Sequence, residues 1–173
     1  MNLAIFWELI DKTRSASDGD PAKQSQLLRA ELARRPPEEI IAFKAIHDDL
    51  FDEAYIADLW DAAYVINCGC SDDGFMDFRD WLIGKGEKVF RDAIAEPESL
   101  VDVVKSWDEN LYPTLSGVEY EAYKRATGHE MPMVSRDRPE LIGETHVESE
   151  TLARFPKLAA KFFQPCVEHF MSN

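Results

Sequence analysis

ADLWDAAYVINCGCSDDGFMDFRDWLIGKG, residues Ala57 to Gly86, reads as two helices separated by a tight turn. Starting one residue earlier, Ile56, Leu59, Trp60, Ala63 and Ile66 recur at the three- and four-residue steps of one helix face. Asn67 to Gly69 stops that helix, because Asn and Gly accept the left-handed backbone of a C-terminal cap. Ser71 then supplies a hydroxyl for an orphan amide, and Asp72 and Asp73 put acids where the helix dipole favours them. Phe75, Phe78 and Leu82 form the apolar stripe of this second helix, with Trp81 beside it, and Gly84 and Gly86 end it.

Working outward, the same period continues on both sides. Upstream, Leu3, Phe6, Trp7 and Ile10 mark a first helix with Asn2 as N-cap. Pro21 opens a second helix through Leu27, Leu28 and Leu32, and Pro37 with Glu38 and Glu39 opens a third, carrying Ile40, Phe43, Ile46 or His47, and Leu50. No Gly or Pro falls between Pro37 and Asn67, so the third and fourth helices join through a tight kink. Downstream come a short helix around Val89 to Ala95 and another opened by Pro97. After Trp107, closely spaced Pro and Gly leave room for one clear helix, Val118 to Thr127. Leu158, Phe162, Cys166 and Phe170 then align at four-residue steps.

These patterns predict a mainly α fold, a single-domain helical bundle over residues 1–173. Residues 1–107 form the helical core, 108–150 a loop-rich segment with one helix, and 151–173 a C-terminal helix. One short β-hairpin finds room near Met131 to His146. Trp7, Trp60, Trp81 and Trp107 are expected as core anchors, and Tyr112, Tyr120 and Tyr123 half-buried against the bundle.

The chain has 173 residues, 45% of them hydrophobic, enough for one sizeable core. Its formal charge of −14, from 33 acids against 19 bases, repels a phosphate backbone, so direct nucleic-acid binding is not expected. The same field favours a basic protein partner. No apolar run spans a membrane and the N-terminus does not read as a signal peptide. Three cysteines, two only one residue apart, make a poor disulfide framework, which together with these features suggests a cytoplasmic protein. Nothing in the pattern calls for a cofactor.

FWELID at the start, the central block quoted above, EAYKRATGHEMP and RFPKLAAKF together resemble a family of uncharacterised bacterial proteins grouped as a domain of unknown function. The resemblance spans most of the chain, and the CSDDGF-x-DFR-x-WLI string is its most specific part. It implies a bacterial cytosolic setting and carries over no reaction and no catalytic residue.

The candidate site is the start of the Ser71 helix: Cys68, Cys70, Ser71, Asp72, Asp73, Asp77 and Arg79. Asp73, Asp77 and Asp80 share a helix face, an arrangement able to hold Mg²⁺ or Mn²⁺ or simply to be solvated. Arg79, among acids and aromatics, needs a partner: an internal carboxylate (Asp72, Asp73 or Asp61) or an anionic ligand in a cleft. Cys68 and Cys70 precede a helix N-terminus, where thiol pKa values fall, or else are small residues packing a turn. No metal ligand set is assigned. Glu144, His146, Glu148 and Glu150 would share one side of a strand, a weaker metal candidate.

Two functions follow. The first is a non-enzymatic interaction or regulatory domain of the kind that immunity proteins represent toward toxins. The second is a metal-dependent hydrolase or small-molecule-binding protein with its site at the Ser71 helix.

Overall fold

The structure of the chain, a computed structural model, describes residues 1–106, 114–137 and 139–171, the last with side chains to Glu168. Trp107, Tyr112 and the Phe170 side chain, each assigned a packing role above, lie outside the described residues. The fold is mainly α, with no sheet among those residues.

Helix α1 (Leu3–Ala16) is capped by Asn2, whose side-chain oxygen accepts the Ile5 amide at 3.0 Å. It buries Phe6, Trp7 and Ile10, while Leu3 of the expected stripe stays exposed in the first turn. α2 (Pro21–Leu32) starts under Asp20, which accepts the Ala22 and Lys23 amides. α3 (Pro37–Glu53) buries Ile40, Phe43, His47 and Leu50, and the kink to α4 (Ala57–Asn67) takes only three residues. α4 ends on Cys68 itself in the left-handed conformation, followed by Gly69.

α5 (Asp72–Gly84) is the central helix. Ser71 accepts the Gly74 amide at 3.2 Å as N-cap, and every residue from Phe78 to Gly84 is buried, so the C-terminal half of the helix is enclosed on all sides while its first turns reach the surface. It packs on α3, α4 and α6 (Glu87–Ala95). After a 3₁₀ turn (Pro97–Asp102), α7 (Val118–Thr127) lies against α2 and α3. Its N-terminus is held by a buried contact from α5: Asp80 accepts the Leu115 amide at 2.6 Å.

The C-terminal part comprises α8 (Glu148–Arg154), α9 (Pro156–Leu158), a π turn (Ala159–Phe163) and α10 (Gln164–Met171). The C-terminal helix predicted over 151–173 is broken among the described residues, at Phe155 between α8 and α9 and again at the π turn. The hairpin near Met131 to His146 is replaced, among the described residues, by an extended strap. Pro132 and Pro139 remove donors a ladder needs, and Ile142 instead forms one parallel bridge to Ile56. Beyond it, His146 meets Asp61 at 2.8 Å, and in α8 Glu148 meets the Tyr64 hydroxyl and Arg154 meets Asp58 at 2.6 Å, so the end of the strap and α8 lie on α4, while Arg136 ties the start of the strap to Asp49 and Asp52 of α3. No helix among the described residues is long and apolar enough to cross a membrane.

Gly86 links α5 to α6 at φ +94°, and a Cβ there would collide with the Asp11 carboxylate. Gly86→Ala is therefore expected to cost about 1–3 kcal/mol in urea unfolding, mainly from left-handed strain, with the Asp11 side chain swung aside and its contact with Arg14 disturbed. A loss under about 0.5 kcal/mol, the size of an ordinary surface change, would show that the turn yields freely.

Candidate functional site

Two cavities flank the exposed Met76 of α5, and Phe51 of α3 lines both. On one side, a pocket of about 360 Å³ is walled by Phe51, Tyr55, Trp60 and Phe75, with Asp52, Asp72, Pro139 and Arg79. Its size and largely aromatic wall with few polar groups are typical of small-molecule sites.

Arg79 is only 6% exposed. Its Nη1 donates to the Phe51 carbonyl at 2.9 Å and its Nε to the Phe75 carbonyl at 3.4 Å. The guanidinium carbon stands 3.9 Å from the centre of the Phe51 ring, 4.8 Å from Tyr55 and 5.0 Å from Phe75. The internal ion pair considered for it, with Asp72, Asp73 or Asp61, is not formed, and no other carboxylate of the described residues pairs with it. Burial pulls its pKa down to about 10, against the opposing pull of Tyr55 and Asp52, so it remains charged at neutral pH. Asp52 is itself occupied by Arg136 at 2.9 Å. Trp60, expected as a core anchor, instead stacks on Phe75 at 4.7 Å and donates its ring N–H to the Cys70 carbonyl, forming part of the pocket wall.

On the other side of Met76, α3, α5 and the start of α7 enclose about 210 Å³ lined by Lys44, His47, Asp48, Asp77, Asp80 and Glu119, with Tyr120 at its edge. His47 Nε2 lies 3.1 Å from Asp80 Oδ1, a buried dyad whose carboxylate also holds the Leu115 amide. Burial works to lower the His47 pKa, and the hydrogen bond and charge of Asp80, helped by Glu119 and Asp48, outweigh it and leave the pKa raised. Burial raises the Glu119 pKa against the pull of His47, and raises that of Asp77, with Asp80 and Asp73 adding to it.

The sequence-level candidates therefore divide. Arg79 and Asp72 face the aromatic pocket, Asp77 the polar cavity, and Asp73 is exposed in the first turn. The Ser71 oxygen is committed to its cap. Burial, with Asp72 and Asp77 near, pushes the Cys70 thiol up to about 12, so it is protonated at neutral pH and no thiolate nucleophile forms. Cys68 sits against the buried Cys166, whose pKa burial likewise lifts to about 12.

Metal-like spacing among the described residues occurs elsewhere: Asp58, Asp61 and His146 bring ligand atoms within 4.8 Å of one another. There Arg154 already neutralises Asp58, and His146 engages Asp61, so the group serves as the strap's anchor on α4. Glu148, of the alternating acids, bonds Tyr64 instead. Sequence reading passed over Glu119 and the partner of Asp80. A His on the buried face of α3 was visible, but the residue facing it, 33 positions away, was not.

Asp80→Asn removes the charge that His47 and Leu115 share while keeping the shape. A raised folded pKa means that His47 contributes stability fully below its unfolded value near about 6.5, and that this is lost as pH rises through the folded pKa. In the Asn variant the loss should be about 2–4 kcal/mol below that window and smaller above it, read by urea unfolding across pH. An undiminished pH slope would show that Asp80 does not govern His47.

A family model described as Protein of unknown function (DUF4240) matches residues 1–125. No curated protein and no solved structure matches the chain.

Proposed function

Because the chain belongs to the DUF4240 family, whose description carries no activity, we propose its function from its own geometry: it binds a small anion with a flat apolar body in the Arg79 pocket. The observation that carries this reading is Arg79 itself. A buried guanidinium that pairs with no carboxylate among the described residues, fixed by two carbonyls and three rings, leaves a planar fork at a pocket wall. Aromatic faces around it suit a planar ligand, and a carboxylate or phosphate supplies the missing counter-charge. All the pocket residues except Pro139 fall in the stretch that the family model covers.

Metal-dependent hydrolysis has less support, because Asp72, Asp73 and Asp77 face three different surroundings. The cysteines, with no disulfide among them, fit a cytosolic site of action. Benzoate and phenyl phosphate, titrated against the folded chain by calorimetry, should bind, with benzyl alcohol as the uncharged control. Arg79→Lys keeps the charge and loses the fork, and should weaken binding about tenfold or more. Equal binding of benzyl alcohol and benzoate would remove the role given to Arg79.

A second reading, an interaction module for a basic protein, draws on the net charge and on the exposed apolar residues Met133, Val134, Ile142 and Val147 of the strap. It calls for a stoichiometric partner recovered from the source cell at low salt and reduced at moderate salt. Recovery of none at either salt counts against it.

A further inference from the structure

The polar cavity on the far side of Met76 has a chemistry of its own. Asp48, Asp77, Asp80 and Glu119 face it, against Lys44 and the titrating His47. Lys44 is already paired with Asp48 at 2.6 Å. Asp80 is filled by two donors, the Leu115 amide and His47 Nε2. A carboxylate can only accept here, so Nε2 carries the proton and Nδ1 presents a lone pair whenever the ring is neutral.

That lone pair meets no donor. His47 Nδ1 and Glu119 Oε2 are both buried without a hydrogen-bond partner, in side chains 8% and 3% exposed. An unpartnered buried acceptor costs about 1–3 kcal/mol. Two at one cavity, with a surplus of acids and the Tyr120 and Phe51 rings at its edges, define the missing occupant: it is cationic and brings at least two N–H donors.

We propose that the cavity between α3, α5 and the start of α7 binds a primary ammonium group, with Glu119 and His47 Nδ1 accepting from its N–H bonds. A divalent metal fits worse, since Asp80 is committed to its donors and few oxygens remain to coordinate one. The site shares the Phe51 and Met76 walls with the Arg79 pocket, but its acceptors, His47 and Glu119, line this cavity and not that one.

Proton linkage follows. A cation in the cavity opposes a protonated imidazole, so binding displaces the His47 proton. The groups facing that ring are Lys44 and Asp48 from α3, Asp77 and Asp80 from α5, and Glu119 from α7. Any proton on Asp77 or Glu119 is displaced in the same sense. Affinity should therefore rise with pH through the His47 titration.

The test is an NMR titration of the full ¹⁵N-labelled chain with n-butylammonium, tetramethylammonium or sodium chloride at equal ionic strength. Butylammonium should give saturable shifts at the His47 ring nitrogens and the Glu119 amide, and fix the Nε2–H tautomer. Tetramethylammonium has the same charge and no N–H, and should bind about tenfold more weakly or less. E119Q should weaken butylammonium about tenfold, while E87Q, at an exposed acid of α6 that lines neither cavity, should leave it unchanged. If E119Q does not fold, the two cations compared on the unaltered chain decide the matter. Absence of saturable shifts, equal affinity for both cations, or affinity that falls as pH rises would each overturn the proposal.

Discussion

A single buried carboxylate, Asp80, ties together the three helices on which the polar cavity is built, two of which, α3 and α5, also wall the Arg79 pocket. It sits on α5, holds His47 of α3 through one oxygen and the amide entering α7 through the other. Without it the segment entering α7 would lose its tie to α5, and α3 would carry a buried imidazole whose Nε2 has no acceptor. A hydrogen-bonded charge of this kind is stable only when every lone pair is used, and leaving one partner unmatched costs several times a surface ion pair. The position of Asp80 in turn fixes Arg79. Neighbours on a helix point about 100° apart, so if one is turned toward α7 the other is turned toward Phe51 and Tyr55. Two adjacent residues of opposite charge thus face two cavities and do not pair with each other.

Much of this framework was legible in the sequence because it is local. Ser71 caps α5 and Val118 to Thr127 form α7, since caps, first-turn acids and apolar period act within a few residues. The stop after α4 was also local, although Cys68 takes the left-handed position expected of Asn or Gly. What the sequence did not contain was pairing over distance. Periodicity put His47 on a buried face and could say nothing of Asp80. Glu119, in the first turn of α7, reads as an ordinary acid at a helix start, and only the approach of α3 and α5 buries it. Trp60 has the period of a core residue and packs on the core at Phe75, yet it stays half-buried at the pocket, with its ring N–H on the Cys70 carbonyl.

The central acidic block shows the same division. By spacing, Asp73 and Asp77 share a helix face, which made a metal site conceivable. Helical spacing sets direction, and what lies in that direction is set by the packing of other helices. Here α7 covers the side of Asp77 and Asp80 and leaves Asp73 in solvent. Many of the basic side chains are held in local ion pairs such as Lys88 with Asp92 and Arg35 with Glu39, which leaves the net charge of −14 unneutralised. Such exposed pairs are worth little individually, so they explain solubility better than stability.

Unsatisfied buried atoms separate a cavity with a purpose from an imperfection of packing. The ring N–H groups of Trp7 and Trp81 and the side-chain amide of Asn67 also lack partners, but they are isolated from one another in sequence and type, and none lines either cavity described above. A lone indole N–H in a core is a modest cost that aromatic burial offsets, since a buried Trp removes far more apolar surface than it strands polar atoms. His47 Nδ1 and Glu119 Oε2 differ on three counts: both accept when the imidazole is neutral, both border one cavity, and that cavity already holds an acid surplus. Random packing error has no reason to gather groups of one hydrogen-bonding sense where like charge makes each more costly. Such an arrangement persists when something supplies the opposite sense, which here means a donor with positive charge.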